Sequence, residues 1–505
     1  MSAVLAASPR GSSRWSRAWN WGPAVAFAAA CLVAVNYGRV ILDEGFYVYL
    51  AGLAARGHVP YRDFLFTQTP LVLYAFAPAV PFGSAGVIAA RAISAGCGVT
   101  AVVLVLRAAQ RVGGGGAVGW AAASLALNAS FCYDVCTARP LGLAALLVAA
   151  ALHALAGTPG DRRGWARAAA WLSLATCVRL SLAPFAALVA VAGLLAMHRQ
   201  PGERRRVLLG VALPAGAVLG LFAALGGEQM WFGTVAFHQQ VHGPDPGRQM
   251  LRIFVSEVLR NEGLALAAGV VGAVALVRRA LSGGRATCPA DPLAALGYVS
   301  WVVITILHAT RPAPYAAHQT ATLPLLAFST ALALGCGAQR PASSRWALVA
   351  CALALATVPL QHWPLRFQER GSLRGVARAG RAVREVAAGR PILTFDPLLA
   401  VASGSPNMAG YELGMFSYAP QVPSAERYHL KDAPALARDL ALDQPAVVAL
   451  QHRDVARLLA TQGAVPIVPM LQRDYRLIQE ISGYGQFEQT LVLLVPAAAA
   501  DGKAR

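Results

Sequence analysis

The residues best suited to chemistry stand together early in the chain, in Leu42-Asp-Glu-Gly-Phe-Tyr-Val-Tyr-Leu50, where two adjacent carboxylates follow the first long apolar segment. An ionised carboxylate beside the hydrocarbon boundary is costly, so it is kept there for a reason. A carboxylate within reach of a hydroxyl can take its proton, and partial desolvation raises the pKa of an aspartate from about 3.9 toward a more useful range. Asp43 is the candidate base. Glu44 follows directly, and neighbours at i and i+1 do not share a face on a helix or a strand. The two converge only on irregular backbone, which Gly45 would permit; otherwise Glu44 orients a tyrosine, caps a helix or helps bind a cation. The bland reading of the pair, an interfacial N-cap, is the weaker of the two.

The elements that must hold this pair are membrane spans. The chain has 505 residues, 56% of them hydrophobic and only 13% charged, which excludes an ordinary soluble globular protein. The formal charge of +19 falls in short arginine clusters between apolar runs, so topology explains it and nucleic acid is excluded as a partner. Arg10, Arg14 and Arg17 precede an apolar run from Trp21 to Leu42, long enough for an uncleaved first span rather than a secretory signal. Thr69–Phe82 is too short to span and carries Pro70, Pro78 and Pro81, which predicts an interfacial or re-entrant segment. Ala85–Leu106 is the second full span and Gly113–Gly116 a turn. Ala166–Met197 is too long for one helix; two short spans turning near Arg179 put the flanking arginine clusters on one side, as the positive-inside rule prefers.

Continuing in this way gives a polytopic α-helical membrane protein of about eleven transmembrane helices over residues 21–360, after a cytoplasmic N-terminus at 1–20. The acidic residues then gather in the outer connections, with a catalytic outer loop at 43–84 and a long polar loop from Gly226 to Glu262. From residue 361 no run is long enough to span. Pro391–Asp396, Ala446–Leu450 and Thr490–Val495 read as buried strands, and Val376–Ala388 and Asp454–Gln462 as helices, which predicts a C-terminal extracytoplasmic α/β domain over 361–496 and a disordered tail at 497–505.

With that topology, Asp43-Glu-Gly-Phe-Tyr47, Gly57-His-Val-Pro-Tyr-Arg-Asp-Phe64, Gln68-Thr-Pro70-Leu and Ala90-Arg91-Ala-Ile-Ser94 form a set. It resembles the integral-membrane glycosyltransferases of the C fold class, in particular the group containing protein O-mannosyltransferases, lipid A aminoarabinose transferases and their bacterial relatives. The motifs cover about the first hundred residues, and the remainder agrees in topology. The resemblance implies an enzyme of the outer face of the bacterial cytoplasmic (inner) membrane, a hexosyl- or pentosyltransferase. It would move a sugar from a polyprenyl-phosphate donor to an acceptor hydroxyl on a glycan, lipid or protein, with inversion and with Asp43 as base. The partners implied are membrane lipid, that donor and that acceptor.

The leaving lipid phosphate needs cations for its developing charge. Arg91 at the outer end of the second span is the best placed, with Arg62, Arg139 and Arg179 as further candidates; relatives often carry a lysine here, whereas the first lysine of this chain is Lys431. Tyr47, His58, Tyr61 and Asp63 are assigned to the substrate cavity, as are His308, Tyr315 and His318 around Thr310-Arg-Pro-Ala-Pro-Tyr315. Asp134 matches the loop on which relatives place a second acidic residue, although a solvated loop aspartate is the favoured reading. A divalent cation is the one cofactor to consider, with no ligand set assigned. His238 and His242 have helical metal spacing but lack a third ligand and read as polar loop. Cys132 and Cys136 flank Asp134 as a local disulfide or, preferably, as two free small side chains. Arg378, Arg381 and Arg384 share one helix face that reads as solvated. The competing classes are a transporter or flippase of lipid-linked sugars and a non-catalytic envelope assembly protein. No internal repeat supports the first.

Overall fold

The computed structural model describes residues 14–157, 163–242, 247–282, 288, 290–311, 314–335, 341–358, 365–461 and 465–498. The N-terminal arginine at position 10 and the tail beyond 498 lie outside these residues. Among the described residues four helical stretches are long and apolar enough to cross a membrane: Leu71–Ala126, Pro201–Gln240, Gln249–Leu281 and Asp291–Ala309. Shorter apolar helices cover Trp21–Tyr37, Leu141–Leu155, Leu180–Ala196, Leu323–Gly335 and Arg345–Thr357.

The bundle begins with α1 (Arg14–Tyr37), α2 (Leu42–Ala55) and α3 (Leu71–Phe76). The proline-rich stretch that follows α3 is a 3-10 run, Ala77–Ala85, in which each proline takes its fixed φ without breaking a longer hydrogen-bonded ladder. α4 (Gly86–Ala121) is interrupted at Gly114, whose φ of 68° serves a turn there. α5 (Ala129–Val135) starts on Asn128, whose side chain accepts from the Phe131 amide at 2.8 Å. α6 (Leu141–Leu155) and α7 (Arg163–Val178) lead to a break at Arg179, whose backbone is extended, before α8 (Ala183–Ala196). Pro184 sits at the start of α8, where its missing N–H costs nothing; a helix running through it would lose a ladder bond, so the chain turns just ahead of it.

The expected polar loop 226–262 is instead largely helical. α9 (Pro201–Trp231) kinks at Gly227 and continues through a π-turn into α10 (Phe237–His242), and α11 (Gly247–Leu281) follows. Apart from the buried Glu262, its described polar residues lie at least partly exposed on helix surfaces, a pattern that composition alone reads as a loop. α12 (Asp291–Ala309), α13 (Leu323–Gly335) and α14 (Pro341–Thr357) complete the bundle.

The C-terminal unit is an α/β domain. β1 (Ile392–Thr394) pairs in parallel with β2 (Val447–Gln451), which pairs antiparallel with β4 (Gln489–Pro496), and β3 (Tyr475–Tyr484) forms the other edge. The sequence reading missed β3, because its burial is broken by bulges and a run of exposed residues. Helices α15 (Leu373–Ala387), α16 (Pro397–Ser403), α17 (Ala433–Leu442), α18 (His452–Thr461) and α19 (Ile467–Asp474) pack around the sheet. The arginines that the sequence places on one face of α15 do not act alike. Arg378 pairs with Glu369 at the surface, whereas Arg384 donates to the carbonyls of Ala402 and Ser403 at 2.9 and 2.8 Å and closes the end of α16.

The domain is joined to the start of α2. The Arg366 amide donates to the Tyr37 carbonyl at 2.6 Å, Gln486 Oε1 accepts from the Leu42 amide at 2.9 Å, and the Asn407 amide donates to Tyr49 Oη at 2.9 Å. Gly45 faces α16 so closely that a Cβ would stand 2.4 Å from the Leu398 nitrogen. Close approach, rather than irregular backbone, is what Gly45 provides. α2 is a regular helix.

Candidate active site

Because α2 is regular, its two carboxylates diverge by about 100° and enter different environments. Glu44 is fully buried. Arg91 Nε donates to its Oε1 at 2.7 Å and Arg91 Nη2 to its Oε2 at 2.6 Å, while the amides of Ala138 and Ile41 add bonds of 2.8 and 2.9 Å. Burial alone would favour the protonated acid, but the Arg91 charge and these four bonds outweigh it and hold the Glu44 pKa below its ordinary value. Arg91 is equally saturated, donating also to the carbonyls of Val35, Gly38 and Arg39. The expected phosphate ligand is therefore a positioning residue. Glu44 takes the helix-capping role, and its carboxylate fastens α2 to α1, α4 and the loop after α5.

Asp43 is half-buried and accepts no hydrogen bond among the described residues. Desolvation raises its pKa, aided by Glu44 and opposed by the charges of Arg139 and Arg179. Tyr47, one turn further along α2, is buried beside the same carboxylate and the same two arginines, and its desolvation holds the phenol protonated. Arg139 is tied to Asp134 at 2.7 Å and to Thr137 Oγ1 at 2.9 Å. Asp134 is not a solvated loop aspartate. Its second oxygen accepts from Thr320 Oγ1 at 2.6 Å, so both are engaged and its carboxylate links α5 to the segment before α13.

Arg179 differs from the other buried arginines. Only 5% exposed, it has no ion-pair partner among the described residues, and its Nε is buried without an acceptor. Desolvation and the neighbouring charge of Arg311 lower its pKa to about 10. Arg311 itself is lowered by desolvation. His308 is buried with Nε2 3.1 Å from Ser181 Oγ, and its ring centroid lies 5.4 Å from that of His318, against which Tyr315 packs edge-on at 5.7 Å. Desolvation, then Arg179, His308 and Arg311, push the His318 pKa well below the ordinary imidazole value, so it is neutral here. Electrostatic proximity and ring contacts thus link Asp43, Tyr47, Arg139, Arg179, Arg311, His308, Tyr315 and His318 into one cluster.

Three sequence candidates fall outside this cluster and a fourth does structural work. His58 and Arg62 are exposed, and Arg62 pairs with Asp63 at 2.8 Å in the same turn. With a bond from the Val59 amide, this pairing holds the Asp63 carboxyl at about 2. Tyr61 is fully buried with a positive φ of 69°, donates to the Gln68 carbonyl at 2.5 Å, and packs against Gly226 and Phe222. These four lie in one motif, and adjacency in sequence carries no information on which side chains turn inward. His238 Nε2 lies 3.1 Å from the Thr67 carbonyl, while the side chain of His242 is outside the described set.

Sequence reasoning missed Arg311 and Glu262. Arg311 stands between His308 and His318 in the chain, a position that could have nominated it with them. Glu262, 6% exposed and with Oε2 unpartnered, lies beside Asp134, and from sequence it reads only as an outer-loop charge. A divalent cation could draw on Asp43, whose oxygens are free of hydrogen bonds among the described residues, but Glu44 and Asp134 are already saturated.

A bundle of apolar helices joined to an α/β domain is a fold that this chain shares with solved structures. The solved structures this chain resembles include ArnT of Cupriavidus metallidurans in the apo state, with a TM-score of 0.63 and 14% identity over 95% of this chain and 98% of that one. The same ArnT bound to undecaprenyl phosphate gives a TM-score of 0.62 and 14% identity over 96% and 98%. The Archaeoglobus fulgidus oligosaccharyltransferase in complex with Zn and sulfate gives 0.48 and 13% over 94% and 75%. No family model matches the sequence, and no curated protein matches it either.

Proposed function

We propose that this protein transfers a sugar from a polyprenyl-phosphate donor to an acceptor hydroxyl, with inversion at the anomeric carbon. The observation that carries the reading is a carboxylate, Asp43, without a hydrogen bond among the described residues and within electrostatic reach of a buried arginine, Arg179, that has no ion-pair partner among them. A buried cation without a partner is unfavourable and is relieved by a ligand anion, and a lipid phosphate is such an anion. That ArnT has been solved with undecaprenyl phosphate supports this choice of donor.

In this mechanism the donor phosphate lies against Arg179 and Arg311, with Arg139 completing the cationic wall. Asp43 takes the acceptor hydroxyl proton as that oxygen bonds to the anomeric carbon. The carbon–oxygen bond to phosphate breaks on the opposite face, and the lipid phosphate leaves with the electron pair and the negative charge. Tyr47, held protonated, donates a hydrogen bond within the site. His318, neutral, contacts sugar or phosphate without adding charge. Glu44 and Arg91 keep α2 in place and take no part in proton transfer. Taking α1, the two halves of α4 around Gly114, α6 to α9 and α11 to α14 each as a crossing gives an odd number among the described residues, which supports an active site and an α/β domain on one face of the membrane. The positive-inside rule makes that the outer face of the cytoplasmic membrane.

The test is reconstitution of the full chain in liposomes with radiolabelled polyprenyl-phosphate hexoses and pentoses, together with mass spectrometry of envelope glycans and lipid-linked pools from cells with and without the gene. Sugar release or transfer that disappears in Asp43→Asn supports the reading. An unchanged set of glycans and lipid-linked sugars would count against it, and movement of intact lipid-linked sugar across the bilayer would favour a flippase.

A further inference from the structure

Cys31, on α1, meets Cys132 on α5 and Cys136 at the C-cap of that helix, about a hundred residues later in the chain. The three sulfurs all lie within 4.8 Å of one another, with Cys31 Sγ and Cys132 Sγ 3.7 Å apart and Cys136 Sγ 3.7 Å from the Cys31 carbonyl oxygen. All three are buried, at 3%, 2% and 1% exposure, and all three are free thiols. Cys132 and Cys136 stand one helical turn apart and so present both sulfurs to one face of α5. Among the described residues no fourth cysteine, histidine, aspartate or glutamate joins the group.

We propose that Cys31, Cys132 and Cys136 form a trigonal thiolate site for a soft monovalent cation of the copper(I) type. Three metal–sulfur bonds of about 2.3 Å in a plane set the sulfurs about 4 Å apart, close to the spacing already present. An all-sulfur donor set selects soft ions, and the lack of a fourth ligand disfavours zinc, whose structural sites are four-coordinate. Each binding thiol releases its proton to solvent and the metal keeps its oxidation state. Arg91 lies within electrostatic reach of Cys136 and offsets part of the negative charge. The site is closed, so its effect is structural. It ties the end of α1, where the Val35 and Gly38 carbonyls accept from Arg91, to the end of α5, where the following loop brings the Ala138 amide to Glu44.

The experiment uses the full-length protein in detergent, reduced and anaerobic, titrated with copper(I) supplied as its bicinchoninate complex. One equivalent withdrawn from the chelator, with a sulfur-to-copper absorption and a raised thermal unfolding temperature, is expected for the natural sequence and for Cys97→Ser. Cys31→Ser and Cys132→Ser should lose all three signals. Copper-edge X-ray absorption on the natural protein, which needs no variant, should show three sulfur neighbours. Failure to withdraw one equivalent, binding unchanged in Cys31→Ser, preferential uptake of zinc, or a Cys31–Cys132 disulfide in protein isolated without reductant would each overturn the proposal.

Discussion

Arg91 and Arg179 are both buried arginines at one end of the same bundle, and they are treated in opposite ways. Arg91 has its guanidinium shared among Glu44 and three carbonyls, whereas Arg179 has a buried Nε with no acceptor and no carboxylate partner among the described residues. A saturated buried ion pair fixes geometry and cannot take a further ligand without losing a bond. An unsaturated buried cation is held at a cost and is available to an incoming anion. The same division runs through the neighbouring carboxylates, Glu44 being saturated and Asp43 free of hydrogen bonds among the described residues. Frame and site are therefore interleaved along one helix.

The largest effect should come from Asp43→Asn, which keeps size and polarity but removes the proposed base. Sugar transfer is expected to fall about 10²–10⁴-fold, with the thermal unfolding temperature unchanged or raised. A comparable loss of stability would mean that Asp43 belongs to the frame. Arg91→Met leaves the Glu44 charge buried and unpaired, and unfolding in detergent should show about 3–5 kcal/mol of destabilisation. Arg179→Met should do the reverse, weakening donor binding while leaving the fold as stable as before or more so. If both arginine variants unfold alike, the distinction between them fails.

Acidity sharpens the same contrast. Because the Asp43 pKa is raised, transfer should decline as pH falls through a value above that of an ordinary carboxylate, and a pH–rate profile reads this directly. Its raised value also means that the stability it contributes is present below the ordinary carboxylate pKa and lost as pH rises through the folded-state value. Glu44 has the opposite sign: its stabilisation is complete above its ordinary value and lost as pH falls through the lowered one. The smallest effect is expected at Asp396 in the α/β domain, whose burial raises its pKa to about 6. Asp396→Asn should stabilise the domain above that pH by up to about 3 kcal/mol and make little difference near pH 4, as unfolding measured at the two pH values would show.

Much of this molecule is legible in its sequence. Long apolar runs reveal helices, Gly113–Gly116 and Pro184 mark where the chain turns, and β-branched runs near 392, 447 and 490 mark strands, because these features are local and depend on period and backbone freedom. The helical stretch over 226–262 and strand β3 are obscured, since their polar residues face surfaces that only packing defines. Within the candidate site, residue type draws attention to Asp43, Tyr47, Arg139, Arg179, His308, Tyr315 and His318, which the fold gathers. It also nominates His58, Arg62, Tyr61 and Asp63, which the fold sets apart from the cluster or uses structurally.

What the sequence by itself determined is a membrane-embedded helical chain with an α/β end and a costly carboxylate pair on its first connecting helix. Composition and hydropathy suffice for that, because transfer into an apolar phase is nearly additive along the chain. What only the tertiary structure decided is which carboxylate is free and which arginine is unpaired among the described residues. Those outcomes depend on carbonyls from α1 and the turn after it, the Arg91 guanidinium from α4 and an amide from the loop after α5, and hydrogen-bond saturation between segments far apart in sequence leaves no trace in residue type.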